Sequence, residues 1–187
     1  YDKYDIPKNK KIISVIGRLA YDKGQKTMIS FLKFLPEEII LLNVGSGPKL
    51  EEWKEFAKVQ GVDKRVIFTG RVPENDFVYM YNVSDLVIYL SEFKPHEGGA
   101  LPLVLIEASS CEKPIIASNE DGAAEAVKEG FNGLVVPARD REIITDKIKY
   151  LFSNPSLLKQ MGKNGREYVK ENFSFEIFRK KQEIILK

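Results

Sequence analysis

Cysteine, histidine and tryptophan each occur once in this chain, at Cys111, His96 and Trp53. A single cysteine excludes an internal disulfide and fits a reducing compartment. Near a helix end it reads as a small buried residue rather than a nucleophile. No His/Cys/Asp cluster has the spacing of metal ligands. Neither sign of charge is in excess: 29 Lys and Arg face 27 Asp and Glu, for a formal +2. No basic surface for nucleic acid is implied. No run is apolar and long enough to span a bilayer, no signal peptide opens the chain, and no repeat or low-complexity tract interrupts it. The first residues, Tyr1-Asp2-Lys3-Tyr4, lack a methionine, which leads us to expect a fragment of a longer protein.

What is present is an alternation. Apolar runs at Ile12–Ile16, Ile39–Val44, Arg65–Thr69, Leu86–Leu90, Pro114–Ala117 and Gly133–Val136 read as strands. Between them, helices are expected at Thr27–Leu35, Lys49–Gln60, Phe77–Tyr81, Leu103–Cys111 and Ala123–Lys128. The last third reads as helical, with a start signal at Asp140 and interruptions at Asn154-Pro155 and Gly162–Gly165. At 187 residues this suits one α/β domain: a parallel sheet with helices on both faces. Ligands of such sheets bind beyond the carboxyl ends of the strands.

Glycine turns fall at those ends, at Gly17, Gly45 to Gly47, Gly70 and Gly98-Gly99. The segment from Glu97 to Gly122 is the most informative. Gly98 and Gly99 let backbone approach a ligand, and Pro102 pre-sets the first turn of a helix. The amides of Leu103 and Val104 would face the turn, an arrangement that favours an anion such as phosphate. Glu107 follows one turn on. Arg18 and Lys23 flank the first strand-end turn, and two cations on one loop suit two phosphates.

Taken in order, VIGRLAYDKG (Val15 to Gly24), LLNVGSGPKLEEW (Leu41 to Trp53), VIFTGRVP (Val66 to Pro73) and SDLVIYLS (Ser84 to Ser91) form a recognisable series. EGGALPLVLIEASSCEKPIIAS, DGAAEAVKEGFNGLVVPARD (Asp121 to Asp140) and NFSFE (Asn172 to Glu176) complete it. The chain resembles the C-terminal, nucleotide-sugar-binding half of a GT-B glycosyltransferase of family 4, over nearly its whole length. The resemblance implies a Rossmann-like donor domain over residues 1–187, with residues 1–10 the remnant of an interdomain linker and the N-terminal acceptor domain absent. It implies retaining transfer from a UDP- or GDP-linked sugar to a glycan or lipid, without a cofactor or bound metal. Arg18 and Lys23 match the pair that holds the diphosphate, and Gly17, Gly45 and Gly47 match the turns beside it. Phe68 and Arg71 belong to the loop whose backbone reads the base. Glu107 matches the second acid of a Glu-x7-Glu motif, which binds the ribose, and Leu103 and Val104 match the helix start at the phosphates.

One departure stands out. The first acid of that motif should fall at position 99, which is Gly99, and the nearest acid is Glu97. Either the loop carries a two-residue insertion and Glu97 still reaches the sugar, or the first acid is lost. His96 beside it touches a sugar hydroxyl or is simply an exposed loop histidine. Two alternatives to the transferase follow: a non-catalytic nucleotide-sugar-binding module, or a GT-B nucleotide-sugar epimerase. The resemblance further implies a monomeric fragment from a cytoplasmic protein, in contact with a membrane only through the absent domain.

Overall fold

Each strand of the sheet is an apolar run closed by a polar or glycine turn. The computed structural model describes residues 2–91, 101–120, 122–177, 179 and 182. In it these runs form β1 (Lys11–Ile16), β2 (Ile39–Val44), β3 (Val66–Phe68), β4 (Leu86–Tyr89), β5 (Ile115–Ser118) and β6 (Gly133–Val136). All pairings are parallel, in the order β3-β2-β1-β4-β5-β6. The chain therefore builds outward from β1 on one side, then returns to add β4, β5 and β6 on the other. In open parallel sheets, ligands bind at the carboxyl edge near such a reversal.

Among the described residues, helices α1 (Gln25–Phe31), α2 (Leu50–Val59), α3 (Phe77–Val83), α4 (Leu103–Ser110), α5 (Arg141–Ser153) and α6 (Pro155–Phe173) cover the two faces. Successive side chains on a strand point to opposite faces, so strands covered on both sides must be apolar at both parities. Thus Ile13, Val15 and Leu41 pack with Met28 of α1, Trp53 of α2 and Ile148 of α5. Their neighbours Ile12, Ile16 and Ile40 pack with Met80 of α3 and Leu105 of α4. Fully burying such a side chain contributes about 1.5–3 kcal/mol. This offsets backbone ordering of about 1–2 kcal/mol per residue.

Local departures from the sequence expectations have physical causes. The first helix stops at Phe31, and Leu32–Phe34 tighten into a 3-10 turn, because Pro36 holds Leu35 extended (φ −104°, ψ 152°). Gly122–Ala126 is likewise a 3-10 turn rather than an α-helix. Gly162 and Gly165 do not interrupt α6. They let it lie against the Glu112 carbonyl and Ser109, where a Cβ on Gly162 would sit 2.0 Å from the carbonyl oxygen. The α5 start forms as expected, with the Asp140 carboxylate accepting from the Ile143 amide at 3.0 Å. The opening segment is docked: Ile6 is buried in the core, and the Tyr4 hydroxyl donates to Asp76 at 3.0 Å.

Candidate functional site

Three of the glycine turns meet at the carboxyl edge of the sheet, and backbone hydrogen bonds join them. The Gly17 amide donates to the Val44 carbonyl at 2.9 Å, and the Leu19 amide to Ser46 at 3.0 Å. On the other side the Gly45 amide donates to the Thr69 hydroxyl at 3.3 Å, and Gly45 bridges to Gly70. Gly45 has φ +131°, and a Cβ there would lie 2.2 Å from the Gly17 carbonyl oxygen. Only glycine lets the two turns approach this closely. Gly47 makes the equivalent approach to the Leu19 carbonyl. Together they wall a cleft of about 650 Å³, with Gly17, Arg18, Gly45 and Gly47 on one side and Arg71, Glu74 and Phe77 on the other.

The two expected cations differ in setting. Arg18 is exposed on the rim, its backbone carbonyl accepting from Nε2 of the buried Gln25 at 3.1 Å. Lys23 sits in a 3-10 turn (Tyr21–Lys23) and is better enclosed. Its ammonium donates to the Tyr89 hydroxyl at 3.0 Å and pairs with the Asp22 carboxylate at 3.1 Å. Burial works against that charge, yet Tyr89 and Asp22 outweigh it and hold the lysine above its ordinary range. Lys23 is therefore a fixed positive charge at neutral pH.

Glu107 opens on an adjoining hollow of about 520 Å³, which shares Glu74 and Phe77 with the cleft and is otherwise lined by Val78, Tyr81, Ile106, Ser110 and Cys111. The Tyr81 hydroxyl donates to its Oε2 in a short hydrogen bond. Burial, and then the carboxylate itself, push the Tyr81 phenol far above its usual value, so it stays a donor. The start of α4 follows Pro102, and among the described residues no side chain caps it. Leu103 is 68% exposed. What this end offers a ligand is therefore its first-turn amides, on Leu103 and Val104.

Other expected positions part company. Glu97, Gly98 and Gly99, with His96, lie outside the described residues. The Phe68 side chain packs toward α2, so that residue brings only backbone to the edge. Arg65, expected within the same loop as Gly70, lies at the far, amino end of β3. It is 7% exposed and donates to the carbonyls of Leu35, Pro36 and Ile39. It is a structural strut. Burial pushes the Cys111 thiol up, away from nucleophile chemistry. Among the described residues no group of three His, Cys, Asp or Glu side chains is placed to hold a metal ion. Sequence reasoning missed Tyr89 and Asp22, which hold Lys23, Tyr81, which holds Glu107, and Gln25, which holds the backbone at Arg18. The one available signal was position, since Tyr89 ends β4 at the carboxyl edge and Asp22 precedes Lys23.

The geometry can be set beside known proteins. The family model for glycosyl transferases group 1 matches residues 2–168. An uncharacterised glycosyltransferase of Methanocaldococcus jannaschii is 35% identical over 173 residues, covering 90% of this chain and 43% of that protein. A GDP-mannose-dependent alpha-(1-6)-phosphatidylinositol monomannoside mannosyltransferase of Mycolicibacterium smegmatis is 29% identical over 89% of this chain and 45% of its own length. Among solved structures, the sucrose-phosphate synthase of Thermosynechococcus elongatus superposes with a TM-score of 0.85 at 26% identity, over 99% of this chain and 47% of that one. The chain spans about half the length of the relatives it matches. Its fold is that of the C-terminal domain of GT-B glycosyltransferases, and on this evidence the chain belongs to the glycosyl transferases group 1 family.

Proposed function

We propose that this domain binds the nucleotide-sugar donor of a retaining glycosyltransferase. The hexosyl group, mannosyl or glucosyl, passes to a glycan or lipid acceptor held by a part of the protein outside this sequence. One observation carries the reading: Arg18 lines a cleft of close-packed glycine turns at the carboxyl ends of β1, β2 and β3, and Lys23 of the same loop is held at the end of β4. The family and the GDP-mannose-dependent relative support a donor of this class.

The chemistry follows from the charges. As the bond between sugar and diphosphate breaks, negative charge grows on the departing phosphate oxygen. The Arg18 guanidinium and the Lys23 ammonium, the latter already held by Tyr89 and Asp22, stabilise that charge. The first-turn amides of α4 add donors to the same anion. Glu107 has its Oε2 engaged by Tyr81, which leaves Oε1 to accept from ribose hydroxyls. By resemblance, Glu97 is assigned to the sugar.

The test is calorimetric titration of this chain with UDP, GDP and ADP. One nucleotide should bind, with affinity about tenfold or more weaker in Arg18→Ala and in Glu107→Ala. Binding that ignores both substitutions, or no binding at all, would refute the assignment.

A further inference from the structure

The mooring of Lys23 is more elaborate than a loop lysine needs. Two consecutive loop residues dock on two consecutive residues at the end of β4. Gly24 presses its backbone onto Leu90, where a Cβ on Gly24 would lie 2.6 Å from the carbonyl oxygen and 2.7 Å from the Leu90 Cβ. Lys23 meanwhile reaches the Tyr89 hydroxyl at 3.0 Å, with its ammonium 5.5 Å from the centre of the same ring. Tyr89 cannot follow the lysine if the loop moves: it is 5% exposed, and its ring is packed among Leu105 and Ala117. On the other side Asp22 pulls on the same ammonium at 3.1 Å. A salt bridge with an adjacent residue alone would draw the charge back onto its own loop. A fixed hydroxyl on β4 holds it at that strand's end instead.

We propose that Tyr89 is a positioning residue: its buried hydroxyl holds the Lys23 ammonium at the end of β4, against the pull of Asp22, to meet the donor diphosphate. The proposal rests on the donor-binding reading above. It assigns to Tyr89 no contact with the sugar and no role in the fold beyond its ring, which phenylalanine would preserve.

A double-mutant cycle on this chain tests it, with Tyr89→Phe, Lys23→Ala and the combination. Each protein is titrated with UDP, GDP and ADP and with the matching monophosphates, and its thermal midpoint is recorded. Tyr89→Phe should weaken the bound diphosphate by about 3–10-fold, because it frees one charge-assisted hydrogen bond. It should leave the midpoint and the monophosphate affinity close to those of the parent, and it should have no further effect once Lys23 is alanine. Equal weakening of mono- and diphosphate, or additive effects of the two substitutions, would overturn the positioning role while leaving the donor site standing. A parent chain that binds none of the nucleotides would overturn the donor reading, and this proposal with it.

Discussion

Replacing Gly45 by alanine would drive a methyl group into the turn that follows β1. The new Cβ would lie 2.2 Å from the Gly17 carbonyl oxygen and 3.0 Å from its carbon, whereas ordinary contact begins at 3.4 Å. Both neighbours are backbone, pinned by the Gly17–Val44 hydrogen bond, so no flexible side chain can yield. Overpacking of this kind costs about 1–3 kcal/mol. Holding a residue with a Cβ at φ +131° adds backbone strain of about 1–3 kcal/mol. Together the two remove about 2–6 kcal/mol from a folding stability of about 5–15 kcal/mol. At about 2–4 °C per kcal/mol for a chain of this size, the thermal midpoint should fall by about 4–24 °C. Gly61→Ala is the control: its φ is +70°, but nothing lies within 4 Å of the added methyl. It should cost only the left-handed backbone term, about 1–2 kcal/mol. Calorimetric melting compares the two, and nucleotide titration well below both midpoints tests the site. The Gly45 variant should bind more weakly, because the opened turn carries Arg18 with it. Equal melting shifts with unaltered binding would refute the claim that the cleft depends on this backbone contact.

Arg65→Met removes a buried guanidinium from the carbonyls of Leu35, Pro36 and Ile39, at the opposite end of β3 from the cleft. It should destabilise the chain by about 2–4 kcal/mol, yet leave nucleotide affinity unchanged below the midpoint. Undiminished stability, or lost binding, would contradict the strut assignment. Tyr81→Phe deprives the Glu107 carboxylate of its donor. Ribonucleotide binding should weaken by about 3–10-fold while that of the 2′-deoxy analogue changes little, since the carboxylate addresses the hydroxyls. An equal loss for both nucleotides would detach Glu107 from the ribose.

The sheet was legible because its strands are apolar at both parities, so β2 and β6 are found at their expected bounds and the other four within one or two residues. Glycine turns were legible for a related reason. Their place at strand ends marks where backbone must pass close to backbone, as Gly45 does against Gly17. What escaped was whatever depends on distant partners. Gly162 and Gly165 resemble helix breakers until Glu112 and Ser109 are brought beside them. Arg65 resembles a cleft residue until its carbonyl partners, some 26 to 30 positions earlier, fold over it. Tyr89 looks like one more apolar strand residue, and its hydroxyl acquires meaning only from a lysine 66 positions away. Side-chain mooring is a tertiary property, and local patterning carries little trace of it.

The reversal of strand order also leaves a short seam. Along β1 and β2 six residue pairs face one another, but along β1 and β4 two do, Ile13 with Leu86 and Ser14 with Val87. The first three strands and the last three form two plates that meet along this seam over one continuous core. Arg18 and Lys23 stand on one plate, while Tyr89 and Glu107 stand on the other. A molecule gripped by both sets would act as a rivet through the joint, so that occupancy and the cohesion of the two plates become one property.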